Sequence, residues 1–213
     1  PHRVHEAQNS RGHGADVASF DGLARGPMAG QVEGVDAGAF GQNRLVEHPV
    51  VEIAAEAGLE IDNGIVVDEL GRTSDPDVFA AGDVTNHPNA LLGRRIRLES
   101  WENAQNQAIA TAKTMLDVGS AYGEIPWFWS DQYDVNIQLI GIPEGWTETV
   151  TRGDPEAGQF ILFYLKDGQI DGAAAINSPR DIRFARRLMA AGKVVDPTHL
   201  ANPDVKLQSL LKD

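Results

Sequence analysis

The stretch Val78-Phe79-Ala80-Ala81-Gly82-Asp83-Val84 sets the reading of this chain. A short apolar run reaches a glycine, and one carboxylate comes next. That order marks a buried strand, predicted over residues 77–81, whose carboxyl end delivers an acid to a ligand crevice. Gly82 has no Cβ, so a ligand or a second backbone can come close. The Asp83 carboxylate can accept hydrogen bonds from a polyol hydroxyl. Taken alone, the segment also fits a capped strand in any α/β protein. Two downstream segments decide between these possibilities.

They are Arg97-Leu98-Glu99-Ser100-Trp101-Glu102-Asn103-Ala104 and Pro126-Trp127-Phe128-Trp129-Ser130-Asp131-Gln132-Tyr133. Together and in this order, the three segments resemble the FAD-dependent ferredoxin reductases. Those flavoproteins carry electrons from NAD(P)H to a small iron–sulfur ferredoxin that feeds an oxygenase. The resemblance runs from about Pro49 to the end of the chain. It implies an α/β remnant of a two-dinucleotide-binding flavoprotein fold over residues 49–122. An α+β C-terminal reductase domain with an antiparallel sheet is expected over 123–213. It further implies FAD as cofactor, NAD(P)H as electron donor and a ferredoxin as partner.

The same resemblance assigns site residues. Gly82, Asp83 and Val84 match the flavin-binding strand end, with the Asp83 carboxylate on the ribityl chain. Trp101 matches the start of the next helix, where its backbone N–H faces the pyrimidine edge. A helix N-terminus suits that edge, because its unpaired N–H groups and positive dipole end favour the negative charge of reduced flavin. The alternative for Trp101 is core packing. Trp129 matches an aromatic beside the isoalloxazine; its alternative is a core position at a domain junction, which is the reading for Trp127 and Phe128. Glu99 either orients its loop or lies near the nicotinamide. No nucleophile or acid–base pair is required, since hydride and electron transfer belong to the cofactor.

The chain has no G-x-G-x-x-G phosphate-binding fingerprint; Gly12-His13-Gly14 has Val17 where the third glycine belongs. The family's three-domain architecture does not fit into 213 residues. The expectation is therefore a fragment that is inactive alone. Residues 1–48 contain no Lys, Ile, Thr, Tyr or Trp and no hydrophobic period. They read as disordered or non-native sequence.

The net charge of −13 argues against nucleic acid. No apolar run is long enough for a membrane span, and there is no signal pattern, so the expected location is cytoplasmic. With no cysteine, any iron–sulfur cluster must sit on the partner. Two other readings stay open. In a thiol–disulfide flavoprotein, the C-terminal domain would carry His-Pro-Thr-x-x-Glu; the nearest string here is Asp196-Pro197-Thr198-His199, without the acid. The chain could also be a non-catalytic stray interface domain.

The pattern predicts a helix over 51–57 stopped by Gly58, a strand over 64–68 and a loop over 85–96. A helix is predicted over 100–117, packed through Trp101, Ala104, Ala108, Thr111 and Met115. Beyond it, Val135, Ile137 and Leu139 alternate as a buried strand face. Asp167-Gly168 makes a hairpin turn. Ser178-Pro179 opens a helix ending near Gly192. That helix carries Arg180, Arg183, Arg186 and Arg187, with Lys193 just beyond, against one acid, Asp181. It is either a docking face for an acidic ferredoxin or a solvated scaffold.

Overall fold

The structure is a computed structural model that describes residues 50–212, all within one compact unit. The readings made of residues 1–48 lie outside the described residues. A short helix α1 (Glu52–Glu56) ends at Gly58, whose φ of +81° suits only glycine. Strand β1 (Ile65–Val66) pairs in parallel with β2 (Thr85–Asn89), which pairs antiparallel with β3 (Arg94–Arg97).

Two expectations are corrected here. Residues 77–81 do not form a strand. Their one neighbour is the 71–73 segment, which offers a single bridge, Arg72 to Phe79, flanked by Ala80 N–H to Gly71 O. The 85–96 segment, read as loop, is the β2–β3 hairpin. Its polar sequence hid it, because its buried amides are satisfied by carbonyls distant in sequence. Asn86 Nδ2 donates to Asp62 O at 2.6 Å, and Asn89 Nδ2 donates to Glu124 O at 2.8 Å. Pro88 is tolerated because β1 reaches only Thr85 and Asn86.

Helix α2 (Trp101–Met115) begins as expected, with the Ser100 side chain accepting from Asn103 N–H. Its packed face is turned away from the one predicted, of which only Thr111 is buried and Ala104 half-buried. Asn103, Gln107, Thr111 and Thr114 are buried, whereas Trp101, Ala108, Ala112 and Met115 are exposed. The helix therefore rests on the first sheet through hydrogen bonds and leaves its apolar face outward.

The second part is a five-stranded antiparallel sheet in the order β4-β5-β8-β7-β6. Its strands are β4 (Trp127–Gln132), β5 (Val135–Gly141), β6 (Glu148–Asp154), β7 (Gln159–Lys166) and β8 (Gln169–Ile176). Asp167 and Gly168 both have positive φ, the signature of the two-residue hairpin predicted there. Helix α3 (Pro179–Ala190) places Ile182, Ala185 and Leu188 in one core with Ile140, Ile161, Phe163, Leu165, Ala173 and Ala175. The buried residue of β5 is thus Ile140, on the face α3 covers, while Val135, Ile137 and Leu139 are only half-buried. Ser178 occupies the cap position of α3 without capping it; Pro179 alone marks the start. Trp127 packs against the core as read, but Phe128 is exposed. Among the described residues, no helix is long and apolar enough to cross a membrane.

Arg152 on β6 fastens the C-terminal segment. Its buried guanidinium pairs with Asp181 at 3.2 Å and donates to the carbonyls of Leu200, Asn202, Pro203 and Val205. These hold helix α4 (Pro197–Ala201) and the approach to the final 3₁₀ turn (Leu207–Leu211). Replacing Arg152 with Gln leaves these acceptors unpaired and should cost about 3 kcal/mol in urea unfolding. The C-terminal residues should then be the first cut by limited proteolysis.

Candidate functional site

Gly82, Asp83 and Val84 form the turn that leads into β2. Gly82 takes φ of +85°, and an added Cβ would lie 3.7 Å from Ala104, so conformation rather than space selects glycine here. Its N–H donates to Gln107 Oε1 at 2.8 Å. Thr85 Oγ1 lies 2.9 Å from that same oxygen and 2.8 Å from Gly82 O, and its one proton is shared between these two acceptors. One side chain of α2 therefore fixes the turn that carries Asp83. Val84 contributes its carbonyl, which accepts from Ile65 N–H at 2.8 Å and ties the turn to β1.

Asp83 is exposed and reaches the start of α2. Burial of part of its carboxyl, and the Glu99 charge beside it, raise its pKa; a hydrogen bond from the Ser100 backbone and the Arg97 charge pull it back. Glu99 is itself paired with Arg97. The first-turn N–H groups of Trp101 and Glu102 have no acceptor within the helix and point toward the same end.

Trp101 is 67% exposed, which removes the core-packing alternative. Its ring meets Trp129 edge-on at 5.8 Å, and Trp129 stacks on Trp127 at 4.7 Å with 24° between planes. The structure thus brings Asp83, the α2 N-terminus, Trp101 and Trp129 to one place, joining the two parts of the chain.

Sequence reading missed the supports. Asn103 Nδ2 donates to Leu98 O at 3.0 Å, and the Tyr122 hydroxyl donates to Asn103 Oδ1 at 3.1 Å. Burial pushes the Tyr122 hydroxyl pKa up. Behind it lies His87, 2% exposed, with its ring 5.7 Å from that of Tyr122. Neither imidazole nitrogen has a well-formed hydrogen-bond partner. None of these contacts leaves a sequence signal, since each depends on pairing across the fold.

Two family models match the chain. The pyridine nucleotide-disulphide oxidoreductase model matches residues 47–108, and the reductase C-terminal model matches 127–211. The chain is 45% identical to the ferredoxin–NAD(+) reductase component of the anthranilate 1,2-dioxygenase system of Burkholderia cepacia; the alignment spans 99% of this chain and 52% of that protein. It is 36% identical to a ferredoxin–NAD(P)(+) reductase of a Sphingomonas species over 76% of this chain and 40% of that protein. Among solved structures, the ferredoxin reductase of Rhodopseudomonas palustris aligns with a TM-score of 0.72 at 36% identity, covering 76% of this chain and 40% of that one. Putidaredoxin reductase, in its covalent complex with putidaredoxin, aligns at 0.73 and 32% identity, covering 77% of this chain and 39% of that one.

The chain is a partial homologue of the ferredoxin–NAD(P)+ reductases. It spans 40–52% of the length of these curated relatives. The expected fold holds: a short dinucleotide-binding remnant with a small mixed sheet precedes an antiparallel reductase domain. Its family places FAD and NAD(P)H in the full-length enzymes. The Burkholderia alignment, at 99% of the chain, runs through most of residues 1–48 as well.

His87 gives the site's support a pH limit. Burial, and after it the Arg95 charge, pushes its pKa down to about 4, which an approach to the Thr85 backbone only partly offsets. The unfolded chain takes up a proton near pH 6.5, whereas the folded chain resists until about pH 4. The stability of the neutral form is therefore complete above pH 6.5 and lost as pH falls toward 4, by about 3 kcal/mol. Thermal melts across that range should fall more steeply for the wild type than for His87→Phe, while common carboxylate effects cancel in the comparison.

Proposed function

We propose that this chain is part of an FAD-dependent NAD(P)H:ferredoxin oxidoreductase and carries one half of its flavin site. The observation behind this reading is the convergence of an acceptor carboxylate, a helix N-terminus and an exposed indole set edge-on against a half-buried one at the junction of the two matched regions. When bound, the flavin supplies hydride acceptance from NAD(P)H and single-electron release to an iron–sulfur ferredoxin.

The residues fit one end of that group. Asp83 is exposed on a rigid turn, where its carboxylate accepts from the ribityl hydroxyls. The N–H groups of Trp101 and Glu102, with the positive end of the α2 dipole, hold negative charge at the pyrimidine edge. Trp129 and the Trp101 ring keep water from the ring system. The sequence offers no glycine-rich loop for the pyrophosphate, so FAD binding by the chain itself should be weak and should not survive gel filtration. FMN, which presents only the flavin end, should still bind measurably. Asp83→Ala should weaken FMN binding about tenfold, since a charged acceptor in an exposed position contributes about 1.5 kcal/mol. Unchanged affinity in the variant would remove Asp83 from the site.

The ferredoxin would dock on α3. Arg180, Arg183 and Arg187 are exposed on one side of it, and the Arg187 guanidinium lies 5.8 Å from the Phe184 ring. Arg186 is turned away and does not belong to this patch. An acidic partner would be steered to the three exposed cations. Charge reversal at Arg183 and Arg187 should weaken binding of an acidic [2Fe–2S] ferredoxin and flatten its salt dependence. Wild-type affinity and salt response in the variant would make the helix mere scaffold.

A further inference from the structure

Arg186 belongs to α3 by sequence, yet its guanidinium serves the other part of the chain. Nη1 and Nη2 donate to the two carboxylate oxygens of Glu102 at 2.9 and 3.2 Å. Nη2 also donates to the Ile125 carbonyl at 3.2 Å and lies 3.7 Å from the Glu124 carboxylate. The guanidinium carbon stands 5.9 Å from the centre of the Trp127 ring. A planar fork gives this arrangement a fixed direction, which a lysine ammonium would not.

It joins two stretches distant in sequence, Glu102 and the run from Glu124 to Trp127. Glu102 is in the first turn of α2, beside the N–H groups offered to a flavin. Glu124 and Ile125 lie in the connection between the two sheets, and Asn106 Nδ2 on α2 also donates to Glu124, at 2.8 Å. Trp127 begins β4, is fixed by its own Nε1–H to Gln138 at 3.2 Å, and carries Trp129 stacked on it. One side chain thus sets both the α2 N-terminus and the Trp129 indole, which bound the same site from opposite parts of the fold. It also pairs the Glu102 carboxylate, whose charge would otherwise oppose the binding of an anionic group at the helix's positive end.

We propose that Arg186 is a positioning residue: its bidentate clamp on Glu102 and its cation–π contact with Trp127 set the spacing between the α2 N-terminal N–H groups and Trp129, and through that spacing the fit of a flavin edge. This rests on the flavin reading above. Arg186 acts through Glu102 and Trp127 rather than by touching the flavin.

The test uses the chain itself, with FMN as the probe and the four indole N–H resonances as the readout. In Arg186→Gln, the signals of Trp101, Trp127 and Trp129 should shift while that of Trp146, which packs on Tyr164, stays. FMN should bind at least about fivefold more weakly. Glu102→Gln should displace the same three indole signals, and the double variant should displace them no further than Arg186→Gln alone, the mark of a shared interaction. Arg186→Lys, which keeps the charge and loses the fork, should leave the three indole signals displaced. Val150→Ala, in the reductase-domain core, serves as a variant of lowered stability and should leave both readouts unchanged. If wild type binds FMN and Arg186→Gln binds it equally well, the inference fails and the flavin reading stands. If wild type shows no FMN-dependent shift, the flavin reading fails and takes the inference with it.

Discussion

A single buried acceptor, Gln107 Oε1, governs the first part of this molecule. It takes one hydrogen bond from Gly82 N–H and one from Thr85 Oγ1. Without it, the Gly82 N–H would be left without an acceptor in the interior, at a cost of order 1–3 kcal/mol. With it, the turn carrying Asp83 is pinned to α2, and β2 starts in register with β1. The carboxylate and the helix N-terminus can then share a site because both are anchored to one helix. Hydrogen bonding rather than apolar burial fixes this part: Asn103, Gln107, Thr111 and Thr114 face inward.

That inversion explains where sequence reading succeeded and where it failed. The helix over 100–117 was legible from its cap and its period. Its orientation was not, because a period shows which residues share a face and only an assumption about polarity says which face is inside. The same assumption turned β2, with its Asn-His-Pro-Asn run, into a loop. In the reductase domain the Asp167-Gly168 hairpin was readable directly. The parity of β5 was lost because Val135, Ile137 and Leu139 alternate convincingly, whereas the helix-covered face is the one bearing Ile140.

For the site, the residues chosen from the family motifs converge in space, which no propensity argument could have shown. Their supports stayed invisible. Arg186 read as one more cation on a basic helix, and only the fold reveals that it faces Glu102 and Trp127. His87 and Tyr122 likewise carry no local signal, although their ring contact backs the Asn103 that braces the helix start. Family relationship and geometry meet independently at the junction near residues 101–129. The chain spans only part of its relatives, and on the proposed reading its residues suit the flavin end of a site and not the nucleotide end.

Amide chemical-shift mapping with FMN and with ADP tests that asymmetry most directly. FMN should move the backbone signals of Gly82 to Val84 and of Ser100 to Asn103, together with the Trp129 indole, while ADP moves none of them. Shifts caused by ADP at these positions, or FMN shifts confined to other surfaces, would contradict a site that holds only the flavin end.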